Sequence, residues 1–170
     1  MKIIFLDIDG VVTSMRTGWY NFDIYTIHFL RWICKKANVK IVISSTWRMN
    51  HNNRKFWETI FSEYIHEDFR TPFAHETGLK NQTVCRGHEI EYWLNKHPEV
   101  DKYLILDDDT DMLSNQMDSF IKTDTYNGIL YEHMMLIRDY FNITDYPNED
   151  KNIYRHKNMF ANTRIKYQKN

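Results

Sequence analysis

Lys2-Ile3-Ile4-Phe5-Leu6-Asp7-Ile8-Asp9-Gly10-Val11-Val12 is the stretch on which the fold turns. Ile3 to Leu6 is a continuous apolar run, the pattern of a strand buried on both faces in a parallel sheet. It ends in two carboxylates, Asp7 and Asp9, and then Gly10. In an extended chain residues i and i+2 share a face, so Asp7 and Asp9 are expected to converge where the strand ends. Two acids beside an apolar core are costly unless a cation or a proton separates them, and that cost points to a metal-dependent site.

Working outward, residues 10–20 read as a loop broken by Gly10 and Gly18. Asp23 or Asn21 can cap a helix over about 23–37, with Ile24, Ile27, Leu30, Ile33 and Cys34 as its apolar stripe and Lys35-Lys36 at its end. Asn38 suits the stop, and Val39 to Ile43 forms a second strand that runs into Ser44-Ser45-Thr46-Trp47-Arg48. Strand, helix and strand make a βαβ unit with parallel strands, whose ligands bind beyond the carboxyl ends. A helix is expected over 53–65 and a loop, with room for a short strand, over 66–85. Arg86 to Lys96 reads as a helix and Tyr103 to Leu106 as a strand ending in Asp107-Asp108-Asp109. A strand near 119–122 and a helix over 130–141 follow.

The composition bounds the class. At 170 residues the chain suits one domain, and 42% hydrophobic with 15% aromatic content argues against disorder over most of it. No apolar run approaches the roughly 18–20 residues that span a bilayer. Cys34 and Cys85 show no paired spacing, and the start lacks signal-peptide character, so reduced thiols and a cytoplasmic protein are expected. Charge is unevenly spread. Residues 151–170 hold six Lys or Arg and no acid, while the 150 residues before them hold 16 basic and 23 acidic side chains, a net of −7. Residues 1–147 therefore read as the folded domain and 148–170 as a basic tail, in which Tyr154, Phe160 and Tyr167 are interleaved with the cations. That mix suits contact with nucleic-acid phosphates and unstacked bases.

Three strand ends thus offer Asp7 and Asp9, Ser44, and Asp107 and Asp108. Carboxylates suit a hard cation such as Mg²⁺. A carboxylate can attack phosphorus as a nucleophile, and a second can protonate the leaving group and then activate water. A hydroxyl and backbone N–H groups can hold phosphoryl oxygens, and Arg48 and Arg86 could stabilise the transferring charge. The eight histidines have no paired ligand spacing, so a histidine metal site, with His88 the nearest candidate, is not expected. Trp47, Trp19 and Tyr20 are expected to pack, with base stacking by Trp47 and a substrate mouth lined by Trp19 and Tyr20 as the alternatives. No GxxxxGK[ST] phosphate loop occurs.

The ordered set of motifs resembles the haloacid dehalogenase (HAD) superfamily. Its first motif is similar to Asp7-Ile8-Asp9-Gly10-Val11, its second to Val39 to Ser44, and its fourth to Leu104-Ile105-Leu106-Asp107-Asp108. SSTWR at 44–48, RGHEIEYWL at 86–94, LILDDDTD at 104–111 and IKTDTYNGI at 121–129 narrow the resemblance. They are similar to the HAD domains of nucleic-acid repair proteins, including relatives of polynucleotide kinase-phosphatase.

That resemblance implies an α/β, three-layer Rossmann-like fold with a parallel central sheet and a minimal cap or none. It implies Asp7 as the nucleophile that forms an aspartyl-phosphate and Asp9 as general acid and base, its backbone carbonyl also touching Mg²⁺. It implies Ser44 on the phosphoryl group, with Ser45 as the alternative. Arg86 takes the place of the third-motif base, with Lys80 as competitor. Asp107 and Asp108 join Asp7 and Asp9 around Mg²⁺, while Asp109 is expected to cap a helix. Arg48 resembles the arginine that contacts substrate phosphate in end-healing phosphatases; a surface salt bridge is the alternative. With no room for a large cap, the open site favours chain-end phosphates, and the expected activity is a phosphomonoesterase on nucleic-acid 3′-phosphates. The alternatives are a 5′-nucleotidase or small-molecule phosphatase, and a catalytically silent HAD fold that only binds.

Overall fold

The computed structural model describes residues 1–79 and 84–145. Lys80 and the basic tail lie outside the described residues. The strands are β1 (Lys2–Leu6), β2 (Val39–Ile43), β3 (Ile65–Arg70), β4 (Lys102–Asp107) and β5 (Phe120–Lys122). The helices are α1 (Ile24–Ala37), α2 (Arg54–Phe61), α3 (Arg86–Lys96) and α4 (Tyr131–Tyr140). All strand pairings are parallel, in the order β3-β2-β1-β4-β5. The order reverses between β1 and β4, so the topological switch point falls between their carboxyl ends.

Alternation along β1 builds three layers. Ile4 and Leu6, with Ile41, Ile43, Leu104 and Leu106, bury one sheet face against α1, α2 and α4. Ile3 and Phe5, with Val42 and Ile105, bury the other against Ile90 and Trp93 of α3. The Phe5 and Trp93 rings meet edge to face with centroids 5.3 Å apart, a preferred aromatic geometry. Cys34 lies in the first core and is free, as is half-buried Cys85.

The capping residues behave as their chemistry requires. Asp23 Oδ1 accepts from the N–H groups of Tyr25 at 2.9 Å and Thr26 at 3.4 Å, satisfying two donors at the start of α1. Asn38 ends α1 in the left-handed region at φ 54°.

The stretch 53–65 differs from expectation. The helix stops at Phe61, a short 3₁₀ turn covers Ser62–Tyr64, and Ile65–Arg70 is a strand. Ser62 sits at φ 56° and breaks the helical run. β3 is an edge strand on which only Ile65 is fully buried, so it lacks the apolar pattern of β1 and β2. Asp109 caps no helix either. Its Oδ1 accepts from the neighbouring Thr110 N–H at 2.7 Å, and the next helical turn begins only at Ser114.

Residues 7–23, 44–64 and 71–85 join the sheet to its helices and contain only turns and short helices among the described residues. None is long enough for an inserted domain, and among the described residues no cap covers the carboxyl ends of the strands. Among the described residues no helix is long and apolar enough to cross a membrane.

Candidate active site

Hydrogen bonding carries the sheet one residue past its strands. Asp7 N–H donates to Leu106 O at 2.9 Å, Ser44 N–H to Leu6 O at 3.0 Å, and Thr123 N–H to Asp107 O at 2.9 Å. These bonds fix Asp7, Ser44 and Asp107 side by side at the switch point. Asp108 closes against the turn after β1. Gly10 stands at φ +68°, and a Cβ there would lie 2.3 Å from Asp108 Cγ. Glycine is thus required twice at this position, for its backbone conformation and for the close approach. The Thr123 hydroxyl ties the far side by donating to Gly10 O at 2.7 Å.

Asp7, Asp107 and Asp108 each present a carboxylate oxygen within 4.8 Å of the others. Such an all-oxygen set suits a hard divalent cation. Asp107 Oδ2 is buried and has no hydrogen-bond partner among the described residues, which fits an oxygen left for an ion. Burial raises the pKa of Asp7 above the ordinary carboxylate value. Arg86 and a Ser45 hydrogen bond partly offset it, while the charges of Asp108 and Asp9 add to it. Asp107 is raised too, first by burial and next by the charge of Asp7. Both shifts express the cost of packing acids together without a counter-charge.

Cationic and hydroxyl groups face the same end. Arg86 opens α3, and its Nη1 lies 3.6 Å from Asp7 Oδ1. Its backbone N–H donates to Asp111 Oδ2 at 2.8 Å, so the loop after β4 caps α3 and holds Arg86 in place. Gly87 permits that approach, since a Cβ there would lie 2.5 Å from Leu113 N. Ser44 is fully buried, and among the described residues neither its hydroxyl nor Arg86 Nη1 has a hydrogen-bond partner. Ser44 Oγ and Asp107 Oδ2 without hydrogen-bond partners among the described residues, beside an Arg86 Nη1 whose contact is a long ion pair to Asp7, are what a site for a phosphoryl group and a cation would show. Ser45 faces the site as well: its side chain hydrogen-bonds Asp7, and its Oγ also accepts from Trp47 N–H at 3.3 Å, capping the 3₁₀ turn Thr46–Met49.

Asp9 does not converge with Asp7 by alternation. The strand ends at Leu6 and the chain coils, with Ile8 O accepting from the N–H groups of Val11, Val12 and Thr13. The Asp9 carboxylate instead takes a hydrogen bond on each oxygen, from the Thr13 hydroxyl at 2.9 Å and from Trp47 Nε1 at 2.8 Å. It stands outside the three-carboxylate group and faces a surface cleft.

Arg48 is neither a surface ion pair nor a free phosphate ligand. Its side chain is buried, and its guanidinium is turned into the protein. Nη1 donates to Ser44 O and, at 2.7 Å, to Ser45 O. Nη2 donates to Glu89 Oε2 at 2.6 Å and to Pro72 O at 3.2 Å, and the Phe73 ring lies 4.3 Å away. A side chain with this many internal partners braces the Ser44-Ser45 backbone. Glu89, the other half of this buried pair, escaped the sequence reading, although its position three residues after Arg86 on a helix was visible. Thr13 and the Trp47–Asp9 hydrogen bond had no sequence signal.

The acids, the serine and the α3 arginine at the switch point of a parallel sheet are the features of a HAD domain. Over residues 3–134 the chain matches the family described as "HAD domain in Swiss Army Knife RNA repair proteins", and it belongs to that family. No curated protein and no solved structure matches it. Membership supports a phosphatase-type function in general and a divalent metal at the acidic cluster.

Proposed function

We propose that this protein is a Mg²⁺-dependent phosphomonoesterase that removes terminal monophosphates, 3′-phosphates foremost, from RNA ends. The observation that carries this is the convergence of Asp7, Asp107 and Asp108 beside the Ser44 hydroxyl and Arg86 Nη1, neither of them hydrogen-bonded among the described residues, under strand ends that no described residues cap. The family's description supplies RNA repair as the setting, and the uncapped mouth suits a phosphate at the end of a long chain. A silent binding fold would have no use for so costly a cluster of acids.

The chemistry follows from the chain's own groups. Arg86 and the Ser44 hydroxyl hold the phosphoryl oxygens. An Asp7 oxygen attacks phosphorus, forming the Asp7–phosphate bond as the bond to the leaving oxygen breaks. Asp9 gives its proton to that oxygen, which departs as a hydroxyl. Water then attacks the aspartyl-phosphate, leaving its proton on Asp9, and inorganic phosphate and free Asp7 result. Mg²⁺, held by Asp7, Asp107, Asp108 and the Asp9 carbonyl, would neutralise charge on the transferring group and between the acids. Each Asp9 oxygen accepts one hydrogen bond, so about half of its lone-pair sites stay open for proton transfer.

A phosphate-release panel tests the reading. With Mg²⁺, 3′-phosphorylated oligoribonucleotides should be hydrolysed faster than 5′-phosphorylated ones and than mononucleotides. Much faster turnover of mononucleotides would instead assign a nucleotidase.

A further inference from the structure

Beside Asp9 lies an open cleft of about 470 Å³, in the range of sites that take one drug-sized ligand. Trp19, Tyr20 and Trp47 supply its aromatic walls. Trp19 and Tyr20 are exposed although large and apolar, Tyr20 to 67%. Thr46 and Asn50 add hydrogen-bonding edges, and His51, its ring stacked on Phe56, completes the lining. Among the described residues Asp9 is the one acidic group that lines the cleft, and no Lys or Arg does. His51 adds no positive charge at neutral pH, because burial lowers its pKa below the ordinary value. A second phosphate would find no counter-charge here. A planar, uncharged group with polar edges would find ring faces and hydrogen-bonding partners together.

Trp47 joins this cleft to the chemistry. One side of its ring system packs edge-on against Phe22, with centroids 5.5 Å apart, and its Nε1–H holds Asp9 Oδ2. The group that would protonate the leaving oxygen is therefore oriented by a wall of the cleft.

We propose that this cleft is the leaving-group subsite: it takes the terminal nucleoside of the RNA strand, with the base against Trp19, Tyr20 and Trp47. Trp47 is in addition a positioning residue, aiming Asp9 at the oxygen that departs. This rests on the phosphomonoesterase reading above. Base stacking on aromatic side chains is sequence-tolerant, so the subsite reads the presence of a base more than its identity. The rest of the strand leaves through the open side of the cleft.

The test compares two oligoribonucleotides carrying a 3′-phosphate, identical except that the last residue of one is abasic. The wild-type protein with Mg²⁺ should favour the base-bearing end by roughly 10- to 100-fold in kcat/KM. Trp19→Ala and Tyr20→Ala, both at exposed positions, should each erode that preference, mainly through KM. Trp47→Phe keeps a ring and removes the donor, so kcat should fall about 10-fold or more on both substrates with KM little changed. Equal wild-type rates on the two ends, with phosphate released from both, would overturn the subsite and leave the phosphatase reading standing. A Trp47→Phe loss confined to KM would overturn the positioning role. Release from neither substrate would sink the subsite together with the reading beneath it.

Discussion

Arg48 offers the sharpest contrast between a bracing and a substrate-binding role. In the structure its guanidinium bonds Ser44 O, Ser45 O, Pro72 O and the Glu89 carboxylate, with both charged side chains almost wholly withdrawn from water. Burial pulls the Arg48 pKa down to about 10, with Glu89 opposing, so the side chain remains charged at neutral pH. Arg48→Ala would leave Glu89 buried near Arg86, whose Nε is 3.9 Å away, with its main partner gone. Breaking one half of a buried pair costs about 3–5 kcal/mol. Against a domain stability of about 5–15 kcal/mol that is a large fraction. At about 2–4 °C per kcal/mol for a chain of this size, Tm should fall by roughly 6–20 °C. Arg48→Met with Glu89→Leu, which removes both charges, should recover much of the loss. Thermal unfolding followed by circular dichroism, with phosphate release measured well below Tm, separates the cases. A variant with unchanged Tm and a large rise in KM for phosphorylated ends would refute the bracing role and restore a substrate contact.

Two further predictions concern the acids. Gly10→Ala should disturb the site more than the fold: the left-handed backbone costs about 1–2 kcal/mol, and the new Cβ would displace Asp108. Mg²⁺ affinity by calorimetry should weaken while the secondary structure stays native; unchanged affinity would argue against Asp108 as a ligand. In chelator, stability should fall as pH rises from about 5 to 7.5. Asp7 and Asp107 have folded pKa values above their unfolded ones, so the folded state holds more protons in that window and loses ground as they leave. Each tenfold change in acidity constant is about 1.4 kcal/mol, giving a loss on the order of 2–4 kcal/mol. Mg²⁺ should stabilise most at the upper end of the window, and a chelated protein whose Tm is flat across it would contradict the cluster's electrostatics.

The parts of the fold buried on both faces were legible. β1 and β4 carry continuous apolar runs, and β2 one interrupted only by half-buried Lys40, because the sheet's centre sees only protein, and Asp23 and Asn38 announced the ends of α1. β3 was not legible, since an edge strand with Glu67 and Asp68 exposed to solvent carries no such run. At the site, the acids and Ser44 follow from where strands end, and that much is written locally. Arg48's inward turn, Asp9's hydrogen bond from Trp47, and Asp111's cap on α3 join segments far apart in the chain. Local pattern encodes none of those directions. Arg86, by contrast, sits where a helix begins beneath the strand ends, and the structure brings it to Asp7.

Asp7 carries the central claim, and Asp7→Asn measures it most directly. The substitution keeps the shape of the side chain while removing the attacking carboxylate. Phosphate release from a 3′-phosphorylated oligoribonucleotide, followed with Mg²⁺ and with chelator, should be cation-dependent in the wild type and fall by at least about 1,000-fold in Asp7→Asn, whose Tm should hold or rise. Release that persists in Asp7→Asn, or that ignores the removal of divalent cations, would contradict a reaction running through Asp7.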